Sequence, residues 1–345
     1  MRIAAEAHRL GFAAVGIARA DTPLDADYAR YEAFLDRGYH GEMEWLASAR
    51  EARRRLDGEA VLAGARSVIC LARPYARTSE EEATDPPVAR TIARYARGRD
   101  YHNGLRKKLR TLAKIVRSLE PGVAARPLCD EEPILERAWA ARAGLGFVGK
   151  NGLLIVPGTG SFVLLGEVVT TLALTPSSPI PERCGACTRC LDVCPTEAFV
   201  APFVLDPRRC VAYLTIEHRA PIDPALREGV RDHLFGCDDC QTVCPFNAGT
   251  LKRERDPVDP RFAPDPRWTG LSLGELVTLD EARFLRLREG SPIGRATRAG
   301  LARNAAIVLG NTGDRSALPA LERAAGDDAS ETVREAARWA IAKLR

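Results

Sequence analysis

Eight of the ten cysteines fall between residues 184 and 244, and they are the residues of this 345-residue sequence whose spacing most clearly indicates chemistry. The first run, Cys184-x2-Cys187-x2-Cys190-x3-Cys194-Pro195, has the spacing with which bacterial ferredoxins bind [4Fe–4S] clusters. In that arrangement three closely spaced thiolates bind one cluster, and the fourth binds a second cluster. The run therefore predicts two clusters and a second set of cysteines downstream.

The second set is the run from Cys237 through Cys240 to Cys244-Pro245, and Cys210 supplies the missing upstream ligand. We predict that the first cluster is bound by Cys184, Cys187, Cys190 and Cys244. The second cluster is then bound by Cys194, Cys210, Cys237 and Cys240. Zinc is the competing metal, but a tetrahedral zinc site needs neither the x2-x2 spacing nor a Cys-Pro pair after each run.

The two other cysteines and the N-terminus bear on the cellular compartment. Cys70 lies in an apolar strand-like run and is predicted to be a small buried hydrophobe, whereas Cys129 receives no role. A disulfide scaffold is disfavoured because such frameworks belong to small secreted domains, and Glu6 and Arg9 interrupt any apolar signal segment. No uninterrupted run of about 20 apolar residues is present. We predict a cytoplasmic protein that does not span a membrane.

The elements that must position these cysteines indicate an α+β fold. Strand-like runs at residues 13–18, 67–72, 153–157 and 162–174 alternate with amphipathic segments such as 105–119. The final 55 residues are predicted to form three short helices that resemble a HEAT-like unit, which must dock on the preceding domain to bury its apolar face.

We therefore predict three domains. Residues 1–175 form an N-terminal α/β domain, residues 176–250 a ferredoxin-like domain with two clusters, and residues 251–345 a linker and HEAT-like helical domain. The proline-rich stretch at 248–267 is predicted to be a linker or a wrapping loop.

The net charge of +4 conceals an uneven distribution. Residues 90–117 carry ten basic side chains against the single acid Asp100, and residues 283–303 carry six against Glu289. A run of this kind is either a solvated helix face or a surface that binds a polyanion through its phosphates.

Two clusters alone would make a small electron carrier, yet about 175 residues precede them and about 100 follow. The glycine pairs at 144–146 and 158–160 lack the third glycine and the strand-to-helix context of a dinucleotide fingerprint. We therefore expect the clusters to supply electrons to a reaction centre that uses another cofactor.

Three segments resemble the epoxyqueuosine reductases, the cobalamin-dependent enzymes of the last step in making the tRNA nucleoside queuosine. The longest runs from Asp130-Glu-Glu-Pro133-Ile-Leu-Glu136 to the Gly149-Lys150-Asn151 turn, and the others are residues 95–102 and 213–219. The likeness extends over nearly the whole chain.

This resemblance implies a base-off cobalamin in an N-terminal domain related to that of reductive dehalogenases. It places the first cluster close to the corrin and the second nearer an external electron donor. It also implies tRNA as the partner that carries the substrate base, and Asp130 as the proton donor. The residues that it marks as cobalamin contacts are Arg55, Ala93, Asp130, Lys150, Asn151, Asp238 and Asp239.

The implied chemistry needs an acid, because an epoxide oxygen leaves badly as an alkoxide. The ordinary pKa of an aspartate, about 3.9, would have to rise, and we expect burial together with Glu131 and Glu132 to raise the pKa of Asp130. Two simpler interpretations stay open: Asp130 caps a helix that starts near Pro133, and Lys150 is a solvated turn lysine.

The basic runs then acquire a role in holding an anticodon stem-loop while a flipped base enters the pocket. The predicted tRNA contacts of this monomeric protein are Lys107, Lys108, Arg110, Arg298 and Arg303. Two alternatives remain: a reductive dehalogenase-like enzyme with a small substrate, and a ferredoxin-type electron carrier with a HEAT-like interaction module.

Overall fold

The computed structural model describes residues 2–130, 132–252 and 259–345. The strands are β1 Ala14–Arg19, β2 Ser67–Pro74, β3 Ala125–Leu128, β4 Phe147–Val148, β5 Leu154–Ile155, β6 Val163–Thr170, β7 Phe199–Ala201 and β8 Val204–Leu205. The helices of the first half are α1 Arg2–Arg9, α2 Asp25–Asp36, α3 Arg50–Arg54, α4 Ser79–Ala83, α5 Pro87–Arg90, α6 His102–Arg117 and α7 Glu136–Arg142. Those of the second half are α8 Arg189–Asp192, α9 Val211–Ile216, α10 Pro224–Arg227, α11 Asp239–Thr242, α12 Ala248–Lys252, α13 Leu273–Val277, α14 Glu281–Arg288, α15 Thr297–Thr312, α16 Leu318–Asp327 and α17 Glu331–Leu344.

The N-terminal part is built on a four-stranded antiparallel sheet in the order β1-β2-β6-β3. The predicted runs at 13–18, 67–72 and 162–174 become β1, β2 and β6, whereas β3 was not predicted from the sequence. Successive side chains of a strand point to opposite faces, so Ile69 and Leu71 pack under α1 and α6 while Val68 and Cys70 pack under α7. Cys70 is fully buried, as its apolar surroundings predicted.

The packing of α7 on β1 is unusually close. A Cβ at Gly16 of β1 would lie 2.0 Å from the carbonyl oxygen of Ala143, just beyond the end of α7. No other residue type fits at this position without moving the helix, so Gly16 fixes how near α7 lies to the sheet. The loop between β3 and α7, which carries Asp130, is therefore anchored at both ends by packed elements.

The C-terminal helices confirm the prediction of a docked helical tail. α15, α16 and α17 pack on one another, and their apolar core also contains Leu214 of α9, Phe235 and the segment 88–96 of the N-terminal part. A short parallel bridge between Ile92 and Phe235 joins the same regions. The three predicted domain segments thus share one core.

The proline-rich stretch wraps over the N-terminal part. Trp268 is almost completely buried, and its indole nitrogen donates a hydrogen bond to the carbonyl oxygen of Arg97 at 2.8 Å. Residues 253–258 of this predicted linker lie outside the described residues.

Candidate active site and iron–sulfur centres

The first predicted cysteine set lines one cavity. Cys184, Cys187, Cys190 and Cys244 all border a space of about 230 Å³. Lys150 closes one side, where its ammonium donates hydrogen bonds to the carbonyl oxygens of Gly185 at 2.6 Å and Cys187 at 3.0 Å. A cavity bordered by four thiols from two separate runs fits the ligand set of one cubane cluster.

The second predicted set is also brought together. Burial raises the pKa of the Cys240 thiol, and the nearby Cys210, Asp238, Cys190 and Cys194 raise it further. Burial and the charge of Asp239 likewise raise the pKa of Cys237, with smaller contributions from Cys240 and Cys210. Thiols this strongly protonated become ligands when a metal displaces their protons. The division of the eight cysteines between two clusters stays a prediction.

A histidine that the sequence interpretation did not identify lies beside the second set. The Nε2 atom of His233 is 3.6 Å from Cys237 Sγ and 3.2 Å from Asp239 Oδ1. Its only signal in the sequence is a position four residues before Cys237. His233 thus gives the second cysteine set a polar neighbour.

Asp130 lies on the loop after β3, and residues at the start of α6 surround its carboxylate. The Tyr101 hydroxyl donates a hydrogen bond to Asp130 Oδ2 at 2.5 Å, and His102 Nε2 lies 3.1 Å from the same oxygen. His102 Nδ1 is in turn 2.6 Å from Asp100 Oδ1. Asp100, His102 and Asp130 therefore form a continuous hydrogen-bonded chain, and half of the Asp130 side chain, 49%, is exposed.

The pKa of Asp130 differs from the sequence-based expectation. Burial alone would raise the pKa of Asp130, but the hydrogen bonds from His102 and Tyr101 outweigh burial and lower the pKa. The prediction of a raised pKa was wrong in this respect, because the sequence did not show that the start of α6 would reach the carboxylate. Glu132 instead pairs with Arg126 at 3.1 Å, and Glu131 lies outside the described residues.

His102 holds the proton that Asp130 lacks. Hydrogen bonds to Asp100 and to Asp130 raise the pKa of His102 to about 9. At neutral pH the pair is an imidazolium beside a carboxylate, and it carries one transferable proton.

The alternative that Asp130 caps a helix is wrong. α7 begins at Glu136 rather than near Pro133, the residue before it is Leu135, and no side chain caps it. Instead of accepting a hydrogen bond from the helix, Asp130 donates one: its backbone N–H binds Glu136 Oε1 at 2.9 Å. The backbone of Asp130 has φ of +51°, in the left-handed region that non-glycine residues seldom adopt.

Most of the predicted cobalamin contacts lie where the N-terminal part meets the cysteine region. The Ala93 N–H donates to the carbonyl oxygen of Phe235 at 2.8 Å, and the Arg94 N–H donates to Asp238 Oδ2 at 2.8 Å. Asn151 Nδ2 lies 3.5 Å from the carbonyl oxygen of Cys240. These contacts bring Ala93, Asn151 and Asp238 against the second cysteine run.

The other two candidates have protein partners of their own. Asp239 pairs with Arg231 at 3.1 Å as well as with His233, and Arg55 pairs with Asp57 at 2.7 Å. As predicted cobalamin contacts, both stay predictions.

The predicted tRNA contacts separate into two groups. Lys107 and Arg110 are exposed on α6, and Lys108 beside them is half-buried with its ammonium on the carbonyl oxygen of Leu10 at 2.7 Å. The assignment of Arg303 was wrong, and that of Arg298 stays a prediction.

Arg298 forms a bidentate ion pair with Asp328, in which its two terminal nitrogens lie 2.7 and 2.8 Å from the two carboxylate oxygens. Arg303 is 1% exposed and donates to the carbonyl oxygens of Leu214, His218 and Ala220, so it completes the hydrogen bonding at the end of α9. The buried guanidinium of Arg303 is not available to a phosphate.

A different basic residue of the same run lies near Asp130. The side chain of Arg295 is 53% exposed, forms an ion pair with Glu217, and is close enough to Asp130 to lower the pKa of that carboxyl. The basic run at 283–303 indicated the region, but the sequence did not indicate which arginine reaches the site.

Two family models match the chain. Residues 55–131 match "Epoxyqueuosine reductase QueG, DUF1730", and residues 183–247 match the "4Fe-4S double cluster binding domain". The second match covers all eight clustered cysteines, so the chain has a double [4Fe–4S] binding domain and the zinc alternative is excluded.

Curated relatives match over almost the full chain. The epoxyqueuosine reductase of Gloeobacter violaceus is 47% identical over 91% of this chain and 96% of the relative, and that of Escherichia coli is 38% identical over 97% and 86%. The chain belongs to the epoxyqueuosine reductase family. It is therefore an oxidoreductase, as predicted, and the alternative of an electron carrier without chemistry of its own is excluded.

Solved structures of epoxyqueuosine reductases have the same fold. One, crystallised with a tRNA-Tyr epoxyqueuosine-modified stem loop, superposes with a TM-score of 0.88 at 31% identity and covers 99% of this chain and 89% of that chain. Another, from Bacillus subtilis, has its catalytic loop swung out of the active site and superposes with a TM-score of 0.87 at 30% identity over the same shares. Among the described residues, no helix combines the length and the apolar character that crossing a membrane requires.

Proposed function

We propose that this member of the family removes the epoxide oxygen of epoxyqueuosine in tRNA, with base-off cobalamin as the reacting cofactor and Asp130 as the proton donor. The observation that carries this proposal is the Asp100–His102–Asp130 chain, which ends in a half-exposed carboxylate in a family that reduces an epoxide. Two [4Fe–4S] clusters, recharged by an external electron donor, supply the electrons.

We propose that Ala93 and the residues near it border the corrin. A Cβ at Gly236 would lie 2.7 Å from the Cβ of Ala93, so these two small residues pack directly on each other where the N-terminal part meets the cysteine region. Asn151 and Asp238 bring an amide and a carboxylate to the same region, and these are the groups that the amide rim of a corrin can bind. When bound, cobalamin would supply the reduced cobalt that delivers electrons to the epoxide.

Asp130 and His102 would supply one of the two protons that the reaction consumes, and the other would come from water. Converting the epoxide to an alkene takes two electrons and two protons and releases water. Asp130 donates a proton to the leaving oxygen as the C–O bond breaks, because an alkoxide is a poor leaving group. His102 passes its own proton to Asp130 through the 3.1 Å contact, and Asp100 keeps the imidazole ring oriented.

This arrangement predicts how the rate depends on pH. The active form carries one proton on the Asp130–His102 pair, and the pKa of His102 is raised to about 9. Single-turnover rates should therefore hold through neutral pH and fall as the pH rises through about 9. In His102→Gln the fall should disappear, together with most of the activity. An unchanged profile in that variant would show that His102 is not the proton source.

The central test is Asp130→Asn, which keeps the shape of the side chain but cannot donate a carboxyl proton. With the reduced, cobalamin-loaded variant, conversion to queuosine, measured on nucleosides from the incubated tRNA, should be slower by about 100-fold or more. Cobalamin binding, read from the visible spectrum, should be unchanged. Full activity in the cobalamin-bound variant would contradict the role of Asp130.

For the partner, we propose that a tRNA anticodon stem-loop binds across α6 near Asp130. The related enzyme crystallised with a modified stem loop supports this partner, as do the exposed Lys107, Arg110 and Arg295. We further propose that the protein acts in the cytoplasm as a monomer.

A further inference from the structure

A pair of carboxyl groups lies beneath the loop that carries Asp130. Glu136 is the first residue of α7, and Glu167 is on β6, one of the two inner strands of the sheet. Glu167 is paired with Leu128, the last residue of β3, so it lies beside the point where the chain leaves the sheet toward Asp130. No role in the proposed reaction requires either glutamate.

Glu136 makes the direct contact. Its Oε1 atom accepts the backbone N–H of Asp130 at 2.9 Å, at a residue whose φ of +51° costs free energy for any side chain larger than that of glycine. A backbone in that conformation persists only where its surroundings hold it there. The side chain of the same residue is held by Tyr101 and His102.

We propose that Glu136 is a positioning residue for Asp130: its carboxylate binds the Asp130 amide and holds the backbone in the conformation that brings the Asp130 side chain to His102. Glu136 acts through Asp130 and touches no reacting atom in this assignment. The consequence for turnover rests on the proposed role of Asp130 as the acid, whereas the effect on the loop does not.

Glu167 determines which carboxyl of the pair ionises first. Its side chain is fully buried, and among the described residues neither of its carboxyl oxygens has a hydrogen-bond partner. A carboxyl buried in this way is stable only as the neutral acid, and burial raises the pKa of Glu167 accordingly. The neutral Glu167 leaves Glu136 as the member of the pair that ionises first.

The strength of the contact should therefore change with pH. Burial and the charge of Asp130 raise the pKa of Glu136. A charged carboxylate accepts a hydrogen bond more strongly than a neutral carboxyl, so Glu136 should hold the Asp130 amide more tightly as the pH rises and Glu136 ionises. Among the described residues, the titratable or charged groups that face this pair include Cys70, Cys129, Asp130, Arg137 and His102.

The test compares three variants of the full chain with its iron–sulfur clusters and without cobalamin. Glu136→Leu removes the acceptor, Glu136→Gln keeps an acceptor oxygen without the charge, and Glu132→Leu removes a glutamate of the same loop that pairs with Arg126. The measurement is hydrogen–deuterium exchange at the Asp130 amide, read by mass spectrometry with residue-resolving fragmentation and corrected for intrinsic exchange.

Protection of the Asp130 amide should fall about tenfold in Glu136→Leu and less in Glu136→Gln and Glu132→Leu. Wild-type protection should rise between pH 6 and pH 8, and in Glu136→Gln it should be independent of pH. Unchanged protection in Glu136→Leu, or an equal loss in Glu132→Leu, overturns the proposal.

A second measurement separates this inference from the proposed function. In the cobalamin-loaded enzyme, Glu136→Leu should lower kcat with little change in KM for tRNA, and Glu136→Gln should restore most of kcat. Reduced protection with unchanged kcat would retain Glu136 as the positioning residue and refute Asp130 as the acid. A loss of kcat with unchanged protection would refute the positioning role.

Discussion

The helices α6 and α15 are each 16 residues long and each carry residues predicted to bind tRNA. Their basic side chains lie in opposite environments, exposed on α6 and largely buried on α15. α6 buries one apolar face and exposes Lys107, Arg110 and Lys114 on the other. In contrast, α15 is buried without interruption from Gly300 to Gly310, and Arg303 lies within that stretch. A basic residue thus lies on an exposed polar face in one helix and makes a buried structural contact in the other.

The difference lies in the residues around the charges. In α6 apolar residues recur every three or four positions, which leaves a continuous polar side. In α15 small and apolar residues occupy every side around Arg303, and Asn304 next to it donates to the carbonyl oxygens of Thr215 and Leu234. A charged residue in a helix with no polar side is better interpreted as a ligand of buried backbone carbonyls.

The largest effect should come from Arg303→Met. Burial lowers the pKa of Arg303 only to about 10, so the guanidinium is charged at neutral pH and satisfies three carbonyl oxygens. Methionine would leave these acceptors unpaired, and we expect a loss of about 3–5 kcal/mol in the free energy of unfolding. Thermal unfolding followed by circular dichroism under anaerobic conditions measures the change. A loss below about 1 kcal/mol would remove the contrast between the two helices.

The second-largest effect should be on tRNA binding rather than on the stability of the fold. In Lys107→Ala/Arg110→Ala, tRNA affinity should fall about tenfold, and the slope of log K against log salt should flatten by about 1 for each lost phosphate contact. Arg30 on α2 and Arg323 on α16 are exposed arginines that provide a matched double-alanine control. Filter binding at several salt concentrations measures both quantities, and equal losses in the control would mean that general charge, not α6, determines binding.

The smallest effect should come from Arg298→Ala. The ion pair between Arg298 and Asp328 is largely buried, with 15% and 8% of the two side chains exposed, so its loss should cost about 1–2 kcal/mol of stability. Affinity for tRNA should not change. A selective loss of tRNA binding with normal stability would confirm Arg298 as a tRNA contact.

The sequence predicted those features that depend on local spacing. The cysteine runs, the strands β1, β2 and β6 and the three C-terminal helices follow from residue periodicity. Asp130 followed from the motif that resembles the family, but its partners did not. Asp100 and His102 are about 30 positions away, and only the packing of α6 on the sheet brings them to Asp130.

One misassigned residue and one missed residue share a cause. Arg303 binds the backbone carbonyl of Leu214 and Glu136 binds the backbone amide of Asp130, and a backbone carbonyl or amide has no signature in the sequence. β3 was missed because it is short and contains Pro127, which is tolerated at the edge of the sheet. Side chains that satisfy backbone groups can be assigned only when the fold is known.

The order of the cysteines has a consequence for how the chain is made. On the proposed division, the first ligand set opens at Cys184 and closes at Cys244, and it encloses the second set, which ends at Cys240. As the chain emerges from the ribosome, the set that begins first is therefore completed last. Nascent chains that end before residue 240 hold neither complete site, so iron–sulfur insertion must wait until almost the whole cysteine region has been synthesised.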